Sequence, residues 1–507
     1  MKFEFEKSLT KKTMNRTQAF FLPVRIKDGK VADWSEAYAL LDESEKRMVG
    51  AYANTHKFKD GEGKLLYING MPEYVFIAAA TAFDKKKISL AVRQFVRVAK
   101  AEGIRRLGVY LDDFEEDGVA AETVAGVVAE NALMAHFDFS EEFKTKPKED
   151  WRFVETFLLY TLNEGRGIEE AVERGEIFGN AVNQCRTIAN YPASDMTPEG
   201  VAEAAKTALK GIKNVSVTVL DDKRLKSEGM NAILAVGKGS AAAPRLVIME
   251  YNGGKKGEKP LAFIGKGVTF DSGGLNIKRS ESMMDMHMDM SGGAGVIYAL
   301  SVIAKLRLPV NIVGLVPAVE NMPSGLSYRQ SDIIKTYGGK TIEIGNTDAE
   351  GRVILADAIE YAKTKNPAAI ITLATLTGAV LVALGTRMSG LFVKNNHKLQ
   401  DFVEKLGTET GDYVWPLPLW DEFEKDCQGI NADVMNDNKS HPRGDASTAA
   451  AFLHYFAKPL PFVHIDMASR MTTNPDEEWL SKGAAGFGVR LLAEIANQYS
   501  AIKKLLV

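Results

Sequence analysis

The stretch Pro367–Thr386, PAAIITLATLTGAVLVALGT, decides between the two fold classes open to this chain. It carries no charge and is about long enough to span a bilayer. It also contains four threonines, two glycines and a leading proline, and the chain has no second run of this kind. A buried parallel strand, Ala368–Ala374, that turns into a buried helix explains the pattern equally well. We therefore predict an α/β fold and no membrane span.

The composition predicts a two-domain protein of a reducing compartment. The 507 residues are too many for one ordinary domain, and shares of 45% hydrophobic and 25% charged residues are typical of soluble proteins. The net charge of -3 gives no reason to expect nucleic acid as the main partner. Only two cysteines occur, Cys185 and Cys427, outside any CxxC spacing. Because the N-terminus, MKFEFEKSLTKK, also lacks the apolar stretch of a signal peptide, we expect a cytoplasmic location.

Strand-like and helix-like stretches alternate through the first part of the chain, which predicts a sheet with helices on its faces. The predicted strands are Phe20–Ile26, Tyr74–Ala80 and Leu107–Leu111, and the predicted helices are Ser89–Ala101 and Val119–Ala135. The charged stretch Ser140–Asp150 predicts an exposed segment near a domain boundary, and the pattern of Ile168–Ile188 predicts a linking helix. We expect a small N-terminal α/β domain (1–165), a linking helix (166–190) and a larger α/β domain (191–507) with a mixed sheet flanked by helices.

The second part of the chain is also α/β. Its predicted strands are Val215–Leu220, Leu246–Tyr251, Leu261–Ile264, Val310–Val316, Ala369–Leu373 and Phe462–Ile465. Its predicted helices are Ala294–Leu306, Val353–Thr364, Ala446–Phe456 and Phe487–Tyr499. Polar clusters follow three of these strands: Lys266, Glu320–Ser324 and Thr375–Thr377. Since ligands bind beyond the carboxyl ends of strands in open α/β sheets, these clusters predict a site in the larger domain.

The chain lacks the sequence motifs of several common catalytic and phosphate-binding sites. The seven histidines form no HExxH or HxxEH pair, so a histidine-based zinc peptidase site is unsupported. No serine lies in GxSxG, which removes the usual nucleophile elbow. Gly237–Ser240, GKGS, lacks the spacing of a phosphate-binding loop and predicts an ordinary turn.

Asn346–Arg352, NTDAEGR, is the first candidate metal motif. Asp348, Glu350 and Arg352 alternate, so their side chains would point to one side if the segment is extended. Two adjacent carboxylates repel each other and need cations between them. An exposed acidic turn paired with Arg352 is the alternative that this motif alone leaves open.

Gly265–Lys278, GKGVTFDSGGLNIK, adds candidates from a glycine-rich segment. It sets Lys266, Asp271 and Lys278 among four glycines, which indicates backbone that closely approaches a ligand.

Met284–Gly293, MDMHMDMSGG, places Asp289 just before a predicted helix. Taken alone, Asp289 is also explained as the cap of that helix, and His287 as a packed or solvated histidine.

Together these segments resemble the leucine aminopeptidase (cytosol aminopeptidase) family, whose signature is NTDAEGRL. The chain has Val353 at the last position of that signature. Further segments match in family order: Asn190–Pro198, Ile264–Gly274, Asp289–Ala294, Glu320–Gly325, Thr375–Ala379 and Gly483–Arg490. The likeness is weak in the N-terminal part of the chain.

The resemblance implies a metal-dependent aminopeptidase of the leucyl type, which releases N-terminal residues from peptides with a water activated by two divalent ions about 3–4 Å apart. The implied ligands of one metal are Asp271, Asp348 and Glu350. Those of the other are Lys266, Asp271, Asp289 and Glu350. Lys278 and Arg352 would form the catalytic pair. The residues implied near the substrate are Met286, Thr375, Leu376 and Gly378.

The resemblance also implies cofactors and an assembly. Oxygen ligands suit Mn²⁺ or Mg²⁺, and Zn²⁺ also fits. Similar enzymes are homohexamers, and a bicarbonate ion bound at Arg352 serves them as general base.

The charges of these residues are consistent with such a site. Three aspartates and one glutamate contribute four negative charges, which two divalent cations would cancel. Lys266 can ligate a metal only as a neutral amine, and two dications would remove its proton. Lys278 and Arg352 would then remain as positive charges that attract the oxyanion of a tetrahedral intermediate. A free peptide amine can bind a metal directly, which predicts an exopeptidase.

The chain departs from the family pattern in three places, His287, Ser469–Met471 and Met435–Asp445. His287 stands where Lys or Arg is usual and competes with bicarbonate as the predicted base. The other two segments leave the preferred substrate open.

Two other functions remain to be weighed. A nucleic-acid-binding role has only the lysine clusters Lys85–Lys87 and Lys144–Lys148 in its favour, and acidic neighbours dilute both. A metal-binding scaffold without catalysis conflicts with the presence of Lys278 and Arg352.

Overall fold

The computed structural model describes residues 1–145, 152–163, 166–437 and 444–506. These residues form two compact units, Met1–Asn183 with Asn474–Lys482 and Gln184–Thr473 with Gly483–Val507. The division falls within the helix Arg166–Asn190, which corresponds to the predicted linking helix. The predicted domain boundaries at residues 165 and 190 stay predictions.

The first unit is an α/β domain built on one sheet. Its strands are β1 (Lys2–Glu6), β2 (Ala19–Lys27), β3 (Lys30–Trp34), β4 (Glu62–Tyr67), β5 (Tyr74–Ala80), β6 (Arg106–Tyr110) and β7 (Thr156–Tyr160). The helices before the division are α1 (Lys11–Met14), α2 (Glu36–Ala39), α3 (Glu43–Thr55), α4 (Lys85–Glu102), α5 (Ala121–His136), α6 (Ser140–Phe143) and α7 (Arg166–Asn190). The strand order is β1-β7-β6-β2-β5-β4, with β3 on β2. Strand β3 pairs antiparallel with β2, and β4 pairs antiparallel with β5. All other neighbouring strands of this sheet pair parallel.

Both faces of this sheet are covered, because successive residues of β2 point to opposite sides. Phe21 packs on one face in a core that includes Phe95 of α4. Phe20 and Leu22 pack on the other face in a core that includes Val49 of α3. The predicted sheet with helices on its faces is thereby confirmed.

The second unit is a larger α/β domain. Its strands are β8 (Val215–Leu220), β9 (Arg245–Asn252), β10 (Leu261–Gly265), β11 (Gly267–Asp271), β12 (Asn311–Asn321), β13 (Ile333–Lys335), β14 (Thr341–Glu343), β15 (Ala369–Ala374), β16 (Ser389–Val393), β17 (Val414–Pro416), β18 (Val434–Met435) and β19 (Phe462–Asp466). Its first helices are α8 (Pro198–Leu209), α9 (Asp222–Glu228), α10 (Asn231–Gly237), α11 (Ser280–Met283), α12 (Ser291–Lys305) and α13 (Glu350–Lys363). The later helices are α14 (Gly378–Leu384), α15 (His397–Thr410), α16 (Asp421–Lys425), α17 (Asp445–Ala457), α19 (Val489–Asn497) and α20 (Tyr499–Leu505), while α18 (Pro475–Glu478) belongs to the first unit.

The large sheet of the second unit is mixed, as predicted. Its strand order is β17-β16-β19-β15-β10-β12-β9-β8, and β11 pairs with β12 beyond the end of β10. Strands β12, β10, β15 and β19 run parallel in the centre. Strands β8 and β9 extend one side by antiparallel pairing, and β16 pairs antiparallel with β19 on the other. Four parallel strands therefore end at one edge, where the predicted polar clusters lie.

Helices cover this sheet and fix the position of that edge. Helix α13 packs against the central strands in a core that includes Ile264, Leu315 and Ile370. Helix α12 packs against β10, β12 and β15 as well, and its side chains are buried along its length. Both helices begin near the edge where the parallel strands end.

The segment Pro367–Thr386 forms the buried strand β15 followed by α14, so the α/β interpretation of its sequence is confirmed. Within the described ranges, no helix combines the length and the apolarity that a bilayer span requires. Both cysteines are buried as free thiols.

Two local predictions need comment. The helix predicted over Phe487–Tyr499 is divided into α19 and α20, with Gln498 between them. Of the charged stretch Ser140–Asp150, residues 140–143 form α6, and residues 146–150 lie outside the described ranges.

Candidate metal centre

Lys266 is the single residue that separates β10 from β11. Its backbone N–H donates to the carbonyl oxygen of Leu373 on β15, at 3.0 Å. Its side chain is buried, and Nζ lies 2.8 Å from Asp289 Oδ2 and 2.8 Å from Glu350 Oε1. The same ammonium group donates to the carbonyl oxygen of Thr375 at 2.8 Å. The interruption of the strand thus brings Lys266 between two carboxylates and the loop after β15.

Asp271 ends β11 directly opposite Asn321 of β12. Its Oδ1 accepts hydrogen bonds from Asn321 Nδ2 (2.8 Å) and from the backbone N–H of Gly273 (2.9 Å). Its Oδ2 lies 2.9 Å from Lys278 Nζ, which is also 2.6 Å from Asp348 Oδ1. Hydrogen bonds to Oδ1 therefore fix the side chain of Asp271, and Oδ2 faces the charged cluster.

The NTDAEGR segment is not extended. Residues 347–348 form a turn, and Glu350 begins α13 with Arg352 in its first turn. The hypothesis that Asp348, Glu350 and Arg352 align by strand alternation is wrong, because the helix starts inside the motif. The turn and the first helical turn still bring Asp348 and Glu350 close to Asp271.

Asp289 does not cap the following helix. Helix α12 begins at Ser291, its N-cap residue is Met290, and that cap has no side-chain hydrogen bond. Instead, Asp289 Oδ1 accepts a hydrogen bond from Thr375 Oγ1 at 2.6 Å, while Oδ2 faces Lys266. The capping interpretation of this aspartate is therefore not supported.

Oxygen atoms of Asp271, Asp348 and Glu350 lie within 4.8 Å of one another, a spacing that could hold a metal ion. Asp348 Oδ1, Asp289 Oδ2 and both oxygens of Glu350 are buried and accept no hydrogen bond from any described residue. The ammonium groups of Lys266 and Lys278 lie 2.6–2.8 Å from three of these four oxygens as ion-pair partners. Asp271, Asp289, Asp348 and Glu350 share these two ammonium groups, so the cluster has both the oxygen donors and the excess of negative charge that suit a divalent metal.

The pKa values of the cluster reflect burial and mutual repulsion. Burial raises the pKa of Glu350 and of Asp289 above that of a free carboxylate, and Asp271 raises both further while Lys266 opposes the rise. Burial lowers the pKa of Lys266, but the attraction of Asp289, Glu350 and Asp271 outweighs it and the pKa is raised. Lys278 behaves in the same way, with burial opposed chiefly by Asp271. Both lysines are therefore ammonium groups in this arrangement, and Lys266 could ligate a metal only after losing a proton.

Arg352 is buried in the first turn of α13. Its Nη1 donates to the carbonyl oxygen of Asn436 at 2.8 Å, and its Nε has no hydrogen-bond partner among the described residues. Asn436 in turn donates to the carbonyl oxygens of Asn346 (2.7 Å) and Ala349 (3.1 Å). Asn436 therefore supports the whole NTDAEGR turn.

The residues implied near the substrate surround the same edge of the sheet. Met286 and His287 belong to a short 3-10 helix, Met286–Met288, that packs against β11. Burial lowers the pKa of His287, and Asp285 only partly opposes this. Gly378 begins α14, and a Cβ placed on it would meet no atom within 4 Å, so the chain there borders open space.

Several residues of this region escaped the sequence interpretation. Asn321, Tyr328 and Asp466 are buried and bond the backbone of the site: Tyr328 Oη donates to the carbonyl oxygen of Thr347 at 2.8 Å. Asn321 lies within a motif of the family resemblance, which was the one signal that could have found it. Asn436 lies in the altered segment Met435–Asp445, of which residues 438–443 lie outside the described ranges.

In the other altered segment, Ser469 and Arg470 are buried. Ser469 Oγ donates to the carbonyl oxygen of Met388 at 2.7 Å, and Arg470 Nη1 donates to that of Thr386 at 2.9 Å. These two side chains hold the segment that follows α14.

The lysine clusters considered for nucleic-acid binding receive no support. Lys87 pairs with Asp60 at 3.0 Å, and residues 146–148 of the second cluster lie outside the described ranges.

Comparison with known proteins identifies the chain. The family model described as Cytosol aminopeptidase family, catalytic domain, matches residues 183–493, which include every candidate ligand. A probable cytosol aminopeptidase of Syntrophotalea carbinolica is 39% identical over 468 residues, covering 90% of this chain and 93% of that protein. A probable cytosol aminopeptidase of Cenarchaeum symbiosum is 38% identical over 464 residues, covering 89% and 91%.

Solved structures agree with these sequences. The bottromycin maturation enzyme BotP has a TM-score of 0.81 at 27% identity, covering 96% of this chain and 100% of that one. The same enzyme in complex with Mn has a TM-score of 0.80. These matches place the protein among the peptidases. More particularly, the chain belongs to the cytosol aminopeptidase family.

Proposed function

We propose that this peptidase is a metal-dependent aminopeptidase of the leucyl type, which releases N-terminal amino acids from peptides. The observation that carries the proposal is the convergence of buried carboxylate oxygens that no described donor satisfies. Family membership supports the aminopeptidase activity itself.

Two divalent ions fit the donors of the cluster. Asp271, Asp348 and Glu350 would hold one ion. Lys266, Asp271, Asp289 and Glu350 would hold the other. Mn²⁺ is a candidate because BotP, a solved relative, forms a complex with Mn, and Zn²⁺ and Mg²⁺ are further candidates. When bound, the ions would lower the pKa of a water molecule and polarise the scissile carbonyl group.

The protein's own side chains supply the remaining steps. Lys278 keeps its proton, because Asp271 and Asp348 hold it at 2.9 and 2.6 Å, and it would stabilise the oxyanion of the tetrahedral intermediate. Arg352 Nε has no hydrogen-bond partner among the described residues, and its planar guanidinium group suits a planar anion such as bicarbonate, the proposed proton acceptor. Thr375, Leu376, Gly378 and Met286 would border the peptide's N-terminal residue.

A free N-terminus is the expected substrate, since its amine can bind a cation directly. The proposal includes two properties that rest on the family alone, a homohexameric assembly and a cytoplasmic location.

The test compares leucyl-p-nitroanilide with its N-acetylated form. The protein would be stripped with a chelator and reloaded separately with Zn²⁺, Mn²⁺ and Mg²⁺. Metal-restored cleavage of the free substrate alone supports the proposal. Efficient cleavage of the acetylated substrate, or full activity in the metal-free protein, contradicts it.

A further inference from the structure

The loop of residues 375–378, which joins β15 to α14, is held from two sides. On one side, Thr375 accepts from Lys266 Nζ through its carbonyl oxygen and donates to Asp289 through Oγ1. Lys266 and Asp289 are proposed metal ligands, so this contact connects the loop to the metal centre. Beyond it, the loop borders open space at Gly378, where a peptide would bind.

On the other side, the loop is held by Asp466, the last residue of β19, which lies opposite Ala374 in the parallel register. Asp466 is completely buried. Its Oδ1 accepts hydrogen bonds from the backbone N–H groups of Leu376 (3.0 Å) and Ala468 (3.2 Å), and its Oδ2 accepts one from Thr377 Oγ1 at 2.6 Å. The carboxylate thus bonds two consecutive residues of the loop.

Asp466 forms no ion pair with any described residue, and hydrogen-bond donors stabilise its negative charge. Burial raises its pKa, and the hydrogen bonds from Thr377 and Leu376 oppose the rise. A buried carboxylate with three donors from two different segments has one stable geometry. It is therefore suited to fix a loop rather than to exchange protons.

We propose that Asp466 is a positioning residue that fixes the position and orientation of the 375–378 loop relative to the bound peptide. This inference rests on the proposed aminopeptidase function. Asp466 acts through Leu376 N–H and Thr377 Oγ1, and its hydrogen bonds to described residues go to Leu376, Thr377 and Ala468 and to no proposed metal ligand. Its loss should therefore raise KM and leave the metal content unchanged.

The test uses Asp466→Ala and Asp466→Asn in the full-length protein. The alanine variant loses the hydrogen bonds to the loop, so KM for leucyl-p-nitroanilide should rise about 10- to 100-fold, with wild-type metal content. The amide Oδ1 of the asparagine variant can still accept from Leu376, and its Nδ2 can donate to Thr377 Oγ1. It should recover most of the affinity.

Thr377 offers a second route if the alanine variant does not fold. Thr377→Val removes one hydrogen bond and should raise KM by about tenfold, while Thr377→Ser should resemble the wild type. Asp357→Asn is the matched control, because Asp357 is a fully buried carboxylate of the same unit whose hydrogen bonds come from Ala232, Ile233 and Tyr337 and not from the loop. It should lower stability and leave KM unchanged.

Amide hydrogen exchange at Leu376 and Thr377 provides a readout that needs no activity. In Asp466→Ala, or in Thr377→Val if that variant alone folds, these amides should exchange at least about tenfold faster than in the wild type. Unchanged KM and unchanged exchange in a folded, destabilised variant would overturn the proposal. An inactive wild type with faster exchange in the variants would instead refute the aminopeptidase function and keep Asp466 as the loop's anchor.

Discussion

Helix α13 carries two differently bonded buried acids, Glu350 in its first turn and Asp357 in its middle. At its start, both oxygens of Glu350 lack a hydrogen-bond donor among the described residues. Two turns later, Asp357 accepts three backbone N–H groups, from Ala232 (2.9 Å), Ile233 (3.1 Å) and Tyr337 (2.8 Å). Burial raises the pKa of both carboxyl groups, but backbone hydrogen bonds oppose the rise only at Asp357.

The difference in hydrogen-bond donors distinguishes Asp357, a structural acid, from Glu350, a proposed functional one. Asp357 joins α13 to the start of α10 and to the β13–β14 turn, so the fold itself satisfies its charge. Glu360, one turn further, is satisfied in the same way by Thr336 Oγ1 (2.8 Å) and Gly338 N–H (2.7 Å). Glu350 instead faces the ammonium group of Lys266 at 2.8 Å, and neither of its oxygens accepts a backbone or hydroxyl hydrogen bond from a described residue. Equal burial on one helix therefore indicates nothing about function until the donors are examined.

The strongest test of this contrast is Glu350→Ala. The variant removes a proposed ligand of both metals, so kcat/KM should fall by at least about 10³-fold, since bound metals contribute several kcal/mol to the transition state. Metal content should fall as well, measured by mass spectrometry of the purified protein. Glu360→Gln is the matched control on the same helix and should keep both metals. Two metals retained in Glu350→Ala would show that Glu350 is not a bridge.

The opposite result is expected for Asp357→Ala. Three buried N–H groups lose their acceptor, so the free energy of unfolding should fall by about 3 kcal/mol, while kcat/KM of the folded protein stays within about twofold of wild type. Urea unfolding followed by circular dichroism measures the loss. A loss of activity larger than the loss of folded protein would argue that the middle of α13 and its first turn are not independent.

Arg352, two residues after Glu350 in the first turn of α13, tests the identity of the proton acceptor. In carbonate-depleted buffer, added bicarbonate should accelerate the wild type. Because general-base catalysis contributes about 10²–10⁴-fold, Arg352→Ala should be slower by about 10²-fold and should largely lose the response to bicarbonate. Initial rates across a bicarbonate titration provide the measurement. His287→Ala is the companion variant. Abolished turnover in His287→Ala with both metals bound, together with a wild type indifferent to bicarbonate, would assign the base to the histidine.

The smallest effect concerns His136 of the first unit, whose ring nitrogen, like the carboxylate of Asp357, has a backbone hydrogen-bond donor. Its Nε2 accepts the backbone N–H of Val154 at 3.1 Å, so it must be unprotonated. Burial, assisted by Lys100, lowers its pKa from 6.5 to about 4. Between these values the unfolded chain binds a proton that the folded chain does not, so stability should fall as the pH is lowered, by about 1 kcal/mol per unit. His136→Gln should unfold with a flatter pH dependence below pH 6.5; an unchanged slope would exclude this group as its source.

The sequence predicted which polar segments lie together at the strand ends, but not the buried residues that hold them in place. The parallel strands β10, β12 and β15 contain apolar runs, and the polar clusters that follow them were expected at one edge of the sheet, where they lie. The alignment of Asp348, Glu350 and Arg352 was wrong, because helix initiation within the motif depends on tertiary contacts such as those of Asn436. Asp466 and Asn436 could not have been recognised, since each bonds backbone groups some 90 positions away in the sequence.

The break between β10 and β11 has a consequence for how sequence variants of this protein should be interpreted. A Cβ at Gly351 would lie 2.7 Å from Lys266 Cε, and one at Gly292 would lie 2.2 Å from the carbonyl oxygen of Leu373. Neither glycine carries a functional group, yet a methyl group at either would displace the lysine or the strand end that orients it. Alanine at these positions should therefore be classed with substitutions of the ligands themselves, and transplanting the five candidate ligands onto another sheet would fail without these glycines.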